Sequence, residues 1–92
     1  MDMFHFTGIV IKESQGYRAL CPELDVASFG ATPDEAKAML LEAATLHLEG
    51  AIEDGLPYSR PVPADADPRI TAPDTIQDIF RFRVDVAVRA YA

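Results

Sequence analysis

Five of the seven prolines in this 92-residue chain lie between residues 57 and 73, and this clustering limits what the chain can fold into. Proline lacks a backbone N–H and biases the residue before it toward extended conformations. We therefore predict that residues 56–78 form an extended connection without regular structure. Residues 79–91 follow this connection and alternate between apolar and charged side chains, which is typical of a strand with one buried face.

The chain before the prolines predicts three strands and one helix. Apolar alternation places the strands at residues 3–12, 17–21 and 25–29, with a hairpin loop ending at Gly16. Thr32 is the expected N-cap of the helix, with Pro33 in its first turn and Glu35 completing a capping box. The helix should run to about residue 54, and Gly55 should stop it. The predicted fold class is α+β: one domain over residues 1–92, with a three-stranded antiparallel meander, one helix and a C-terminal strand, in the order β-β-β-α-β.

Composition limits the possible partners. A single cysteine excludes an internal disulfide, and a chain of this size has marginal stability on its own, so we expect a homo-oligomer, either a dimer or a tetramer. No apolar run is long enough to span a membrane and no signal peptide opens the chain, which predicts a cytoplasmic protein without membrane contact. The net charge of −7 argues against direct binding of nucleic acid.

The residues that could carry chemistry are few. By strand alternation Arg18 lies on the opposite face from Cys21, and neither histidine is near Cys21 in sequence, so no cation is placed to lower its pKa and a packed thiol is favoured over a nucleophile. His5 lies in a strand without an orienting acid, and His47 lies on the helix face expected to be in the core or an interface. The carboxylates do not converge from several strands, as a two-metal nuclease requires. We predict no catalytic residue, no metal site and no cofactor.

Two apolar surfaces are candidates for an oligomer interface. One is the apolar face of the last strand, which comprises Phe80, Phe82, Val84, Val86 and Val88. The helix carries the other. Its sheet-facing side is expected to contain Ala36, Leu40, Ala43 and His47, and a second ridge with Leu41 and Leu48 lies about a third of a turn away. Either a second subunit or the proline-rich connection could cover that ridge.

The stretch GYRALCPELDVASFGATPDEAKAMLLEAATLHLEG resembles the N-terminal domain of the HicB antitoxin family. The resemblance rests on joint spacing, in the order Gly16-Tyr17, Pro22-Glu23-Leu24, Gly30, Thr32, Glu35-Ala36 and Glu42-Ala43. It implies a degraded ribonuclease-H-like fold without catalytic carboxylates, in a protein that binds and neutralises a small basic HicA-type toxin that cleaves mRNA. The chain ends soon after the last strand, so the C-terminal DNA-binding module of many family members is expected to be absent.

Acidic residues are the expected docking surface for such a toxin. Nine acids against two basic residues, Arg18 and Lys37, lie between residues 13 and 54. Within this set, Glu13, Glu23 and Asp25 are the predicted docking residues. The alternative function is a stand-alone homo-oligomeric structural or regulatory protein without a toxin partner, and a residual nuclease is a distant third.

Overall fold

A computed structural model describes residues 2–86 and confirms the α+β fold class. Four strands form one antiparallel sheet in the order β3-β2-β1-β4: β1 (Asp2–Glu13), β2 (Gly16–Cys21), β3 (Val26–Gly30) and β4 (Ile76–Val86). The long helix α1 (Pro33–Glu53) packs on one face of this sheet. The first three strands form the predicted meander, and β4 adds to the free side of β1.

Local signals account for the ends of these elements. β1 and β2 join through a tight hairpin in which Gly16 has a φ of +110°, a value that favours glycine. At the start of α1, the Glu35 N–H donates to the Thr32 hydroxyl at 3.1 Å. The Glu35 carboxylate reaches back and accepts from the Ala31 N–H at 3.1 Å, so the predicted capping box is closed one residue further back than expected.

The core lies between α1 and the sheet. Its centre is formed by the side chains of Phe6, Ala19, Cys21, Leu24, Ala36, Leu40, Ala44, Leu48 and Val84. The packed face of α1 contains Ala36, Leu40, Ala44, Leu48 and Ala51, so it is rotated from the predicted face. Ala43 and His47 are only half-buried, whereas Leu48 is fully buried rather than part of a separate ridge.

A close contact fixes β4 against β1 and α1. The ring of Phe80 lies over Gly8, where any side chain would overlap it. Lys37 from α1 stands 5.0 Å above the same ring and ion-pairs with Asp78 at 2.7 Å. Because Gly8 leaves space for the ring, β4 can pair with β1 at this position.

The proline-rich connection differs from the prediction. It contains a short helix α2 (Pro68–Thr71) flanked by single turns of 3-10 helix at Ala64–Ala66 and Pro73–Thr75. β4 then begins at Ile76, inside the predicted connection. The prediction of an extended segment was therefore wrong in part: proline suits the first turn of a helix, and Pro68 and Pro73 each occupy such a position.

The connection also crosses the sheet. Its Val62 N–H donates to the carbonyl of Pro22, beyond the end of β2, and its last turn contacts β1 near the start of β4. On the sheet face opposite α1, Ile9, Ile11 and Leu20 are buried. We attribute their burial to this crossing segment, in which Asp67 and Pro68 are buried as well.

Candidate functional site

The turn between β2 and β3 contains a cluster of polar contacts that join it to β1. β2 ends at Cys21 while β1 continues, so the N–H of Thr7 has no strand partner on that side. The Glu23 carboxylate replaces this partner: its oxygens accept from the Thr7 N–H at 3.0 and 3.1 Å and from the Thr7 hydroxyl at 2.9 Å. Glu23 therefore ties the turn to β1 and is not a free surface acid.

Cys21 lies at the base of this turn and is fully buried. Its thiol donates to the Glu23 carboxylate, with a sulfur–oxygen distance of 3.7 Å. Burial raises the pKa of Cys21 to about 12, and the negative charge of Glu23 adds to the increase. The thiol is therefore protonated near neutral pH, which agrees with the predicted packing role rather than with a nucleophile.

The connection packs against the same turn. The Arg60 N–H donates to the Glu23 carbonyl at 3.1 Å. Asp67 caps the short helix α2 by accepting from the Arg69 N–H at 2.9 Å, and its carboxylate ion-pairs with the Arg69 guanidinium at 2.7 Å. Hydrogen bonds from Arg69 lower the pKa of Asp67. A shallow depression at this contact is lined by Pro22, Glu23, Pro61, Val62, Asp67 and Arg69.

This arrangement is suited to holding the turn and the connection in place. Both carboxylates of the cluster are engaged, Glu23 by Thr7 and Asp67 by Arg69. The histidines are elsewhere: His5 is exposed on β1, and the Nε2 of His47 lies 3.0 Å from the carbonyl of Tyr58. Within residues 2–86, no group of three or more histidine, cysteine or acidic side chains is placed to hold a metal ion.

The predicted docking acids do not form one patch. Glu13 lies beside the hairpin at the start of β2, whereas Glu23 and Asp25 follow its other end. Glu13 pairs loosely with Arg18 at 3.7 Å. Asp25 is exposed, and its carbonyl accepts from the Arg60 guanidinium at 3.4 Å.

The predicted interface residues divide between core and surface. Val84 and Leu48 are buried in the core, and Phe80 and Phe82 are half-buried against it. Leu41 is 43% exposed on α1. Only the backbone of Val86 is described, and Val88 lies outside the described residues.

Sequence reasoning missed a pair of exposed apolar side chains on α1. Met39 is 42% exposed and Leu46 is 62% exposed, two helical turns apart on the same side. The exposed acids Glu42 and Glu49 lie next to them on the helix. The spacing of seven residues between Met39 and Leu46 is visible in the sequence. Which side of the helix packs on the sheet depends on the orientation of the helix, and periodicity does not give that orientation.

The described chain is a small α+β domain with an antiparallel sheet, one long helix, and an outer helix face that carries exposed acids and two exposed apolar side chains. In the described part of the chain, no helix is long and apolar enough to cross a membrane. No family model matches the chain. No curated protein matches it by sequence.

Solved structures do match, and they show that the chain has the fold of the HicB antitoxin N-terminal domain. The antitoxin HicB of Burkholderia pseudomallei is 25% identical over 90% of this chain, with a TM-score of 0.59. Its separately solved N-terminal domain is 22% identical, with 92% of this chain and all of that domain covered, at a TM-score of 0.59. A chain of the HicA3 and HicB3 toxin–antitoxin complex is 19% identical over 92% of this chain and 100% of its own, with a TM-score of 0.58. The chain spans 63% of the length of the first of these antitoxins.

Proposed function

We propose that this chain is an antitoxin-like protein that binds and neutralises a small basic HicA-type toxin that cleaves mRNA. The observation that carries the proposal is the 25% identity with the Burkholderia pseudomallei antitoxin over 90% of this chain. The similar fold in the HicA3 and HicB3 complex supports a toxin as the class of partner. The proposed action is inhibition by binding, without nuclease activity of the chain itself. Because mRNA is the target of the toxin, the proposed place of action is the cytoplasm.

Charge supports a basic partner. The net charge of the chain is −7, and the outer side of α1 carries the exposed acids Glu42, Glu49 and Glu53. Opposite charge on two proteins raises the rate at which they associate and aligns them on encounter. The acids of α1 would therefore attract the basic surface of a toxin.

The proposed docking surface is the outer face of α1, defined by Met39, Leu46, Glu42 and Glu49. Interfaces combine apolar anchors that become buried with charged residues around them, and methionine is enriched among the anchors. Met39 and Leu46 supply exposed apolar area, and the two glutamates supply charge beside it. Asp25 and Glu13 remain further candidates for contact, each at a different end of the sheet.

The experiment is co-expression of this chain with a HicA-type toxin, for which the first choice is any small basic protein encoded beside its gene. The expected results are restored growth and a complex that purifies at constant stoichiometry. Growth arrest despite expression of both proteins, with no complex at micromolar concentrations of each, would refute the proposal. That outcome would favour the stand-alone oligomeric protein, for which the open edge of β4 is the structural support.

Paired variants locate the docking surface. Glu42→Lys combined with Glu49→Lys reverses two charges on α1, and Asp65→Lys combined with Asp74→Lys makes the same change in net charge on the connection. All four side chains are exposed. If α1 contacts the toxin, only the first pair of substitutions should weaken the complex, and biolayer interferometry should show a faster dissociation rate for that pair alone. Equal effects of the two pairs, confined to the association rate, would mean general electrostatic attraction without docking on α1.

A further inference from the structure

β3 is an edge strand whose outer side is open within the described part of the chain. It pairs with β2 along one side, and no strand of residues 2–86 pairs with the other. Natural sheets protect such an edge with a charged side chain, a proline or a bulge. The five residues Val26–Gly30 carry no charge and no proline, and their register with β2 is continuous. The edge of β3 is therefore unprotected and suited to accept a further strand.

The register of the sheet shows which backbone groups of β3 are free. The Thr7 N–H points to the β2 side of β1, beyond the end of β2. Since the direction of backbone groups alternates along a strand, Ile9 also points to β2 and bonds with its partner Leu20. Leu20 thus uses its backbone groups toward β1, and Ala27 opposite it is not bonded to β2. The N–H and C=O groups of Ala27, and of Phe29 two residues on, therefore point out from the sheet.

Phe29 adds an apolar side chain to this edge. It is 62% exposed and lies on the sheet face opposite α1, beside its cross-strand neighbour Arg18. Aromatic residues and arginine are enriched in protein interfaces and among the residues that contribute most to binding. Free backbone groups together with an apolar anchor are the features used where a partner adds a strand to a sheet.

Charge indicates the kind of partner. Asp25 precedes β3 and Asp34 follows it in the first turn of α1, and both side chains are exposed. A side chain at Gly30 would overlap the backbone of α1, so the end of β3 lies directly against that turn. Arg18 and Arg60 also lie in this region, and each contacts an acceptor of the chain itself. In a chain with a net charge of −7, acids at both ends of the edge favour a basic strand.

We propose that the edge of β3 accepts an extended strand of a basic partner protein. Phe29 is the apolar anchor, and Asp25 and Asp34 face basic side chains of the added strand. The inference rests on the proposed function, because it takes the HicA-type toxin as the partner, and it adds the mode of binding. The start of α1 adjoins this edge, so one partner can contact both.

Hydrogen exchange tests the backbone pairing directly. The chain is labelled with nitrogen-15 and followed by NMR, with and without the HicA-type toxin of the co-expression experiment. In the free chain, the amides of Ala27 and Phe29 should exchange faster than the amide of Ser28 between them, which faces β2. In the complex, exchange at Ala27 and Phe29 should slow by about tenfold or more.

Paired variants test the same edge by affinity. Ala27→Pro removes an outward N–H without removing a bond of the sheet, whereas Ala27→Val adds a side chain of similar size and keeps the N–H. Proline is tolerated where the N–H of an edge strand faces solvent, so circular dichroism should show both variants folded. Ala27→Pro should have a dissociation constant about tenfold or more above that of Ala27→Val. Phe29→Ser removes the anchor and should raise the constant by a similar factor over the unmodified chain.

The outcomes separate this inference from the proposed function. A complex in which Ala27 and Phe29 exchange as fast as in the free chain overturns pairing at β3 and leaves the proposed function standing, and so does equal affinity of the two Ala27 variants. If Ala27→Pro does not fold, hydrogen exchange of the unmodified chain decides alone. Slow exchange of both amides without toxin would mean that a second copy covers the edge, and would also overturn the proposal. Absence of any complex with the unmodified chain overturns both.

Discussion

Replacing Glu23 with alanine tests how the turn between β2 and β3 is held to β1. The change leaves the Thr7 N–H without its acceptor, and Thr7 is only 9% exposed to water. An unsatisfied buried donor costs about 1–3 kcal/mol, and loss of the bond to the Thr7 hydroxyl adds about 1 kcal/mol. We expect the free energy of unfolding to fall by about 2–4 kcal/mol, a large share of the roughly 5–14 kcal/mol typical of a chain this long.

The assay is urea denaturation at pH 7 followed by circular dichroism, with Glu23→Gln as the matched control. Glutamine keeps a carbonyl oxygen that can accept from the Thr7 N–H, so it should lose less than half as much stability as alanine. A double-mutant cycle with Thr7→Val should isolate a coupling of about 0.5–1.5 kcal/mol for the hydroxyl bond. If Glu23→Ala changes stability by less than about 0.5 kcal/mol, as an ordinary surface substitution would, the proposed tie is refuted.

The same variants have a second readout at Cys21. Burial is the main reason why the pKa of Cys21 is about 12, and the charge of Glu23 is the next contribution. Glu23→Gln removes that charge but leaves the burial, so the pKa of the thiol should fall while staying above its ordinary value of 9.0. Ultraviolet absorbance of the thiolate during a pH titration measures this shift, and an unchanged or increased pKa would contradict the assigned cause.

Three further predictions concern the thiol, the connection and the β1–β4 contact. Cys21 should react with a thiol reagent at pH 8 only in denaturant, and rapid reaction of the folded chain would contradict its burial. Asp67→Ala should cost about 1–2 kcal/mol through loss of the helix cap and ion pair, whereas Asp67→Asn, which keeps the cap, should cost less; equal losses would mean that the cap contributes little. Because Arg69 lowers the pKa of Asp67 below its ordinary value of 3.8, this stabilisation is complete above that pH and lost as pH falls through the lower folded value; a pH-independent difference between Asp67→Asn and the unmodified chain from pH 7 to 2 would contradict it. Gly8→Ala should cost about 1–3 kcal/mol because the new methyl group overlaps the ring of Phe80, and Phe80→Leu in the same chain should add less than its separate cost; simple additivity would mean that the two do not interact.

The ends of the main elements were predictable because the signals for them are local. Thr32 and Glu35 bond to backbone groups within four residues of themselves, so their spacing alone places the start of α1. Gly16 marks its hairpin for the same reason, since the backbone angle it needs belongs to one residue. The resemblance to HicB rests on the spacing of such signals, and the structural comparisons confirm the fold that it implies.

The packed face of α1 was predicted wrongly because neighbours, not the helix, decide it. Apolar side chains surround much of α1, so periodicity alone does not separate the stripe with Ala44 and Leu48 from the one with Ala43 and His47. The hydrogen bonds between Glu23 and Thr7 could not be predicted from the sequence either. They join residues 16 positions apart and depend on β1 extending past the end of β2.

The prediction for the proline-rich connection was wrong in part for a different reason, because the signal for its helix is local and present in the sequence. The high density of proline predicts a connection without regular structure, whereas the structure contains the helix α2 there. Asp67 directly before Pro68 is nonetheless a pattern for the start of a helix, because the aspartate caps and the proline fits the first turn. The pairing of Asp67 with Arg69 follows from that turn, so it was recoverable from the sequence.

The most direct measurement of the central claim is a titration of a purified HicA-type toxin with this chain, read out as cleavage of an mRNA substrate. If the chain neutralises the toxin by binding it, cleavage should fall in proportion to added chain and stop at a fixed molar ratio. The chain alone should leave the mRNA intact. The account would be contradicted if cleavage were undiminished at about a tenfold molar excess of folded chain, at protein concentrations well above the dissociation constant of a specific complex.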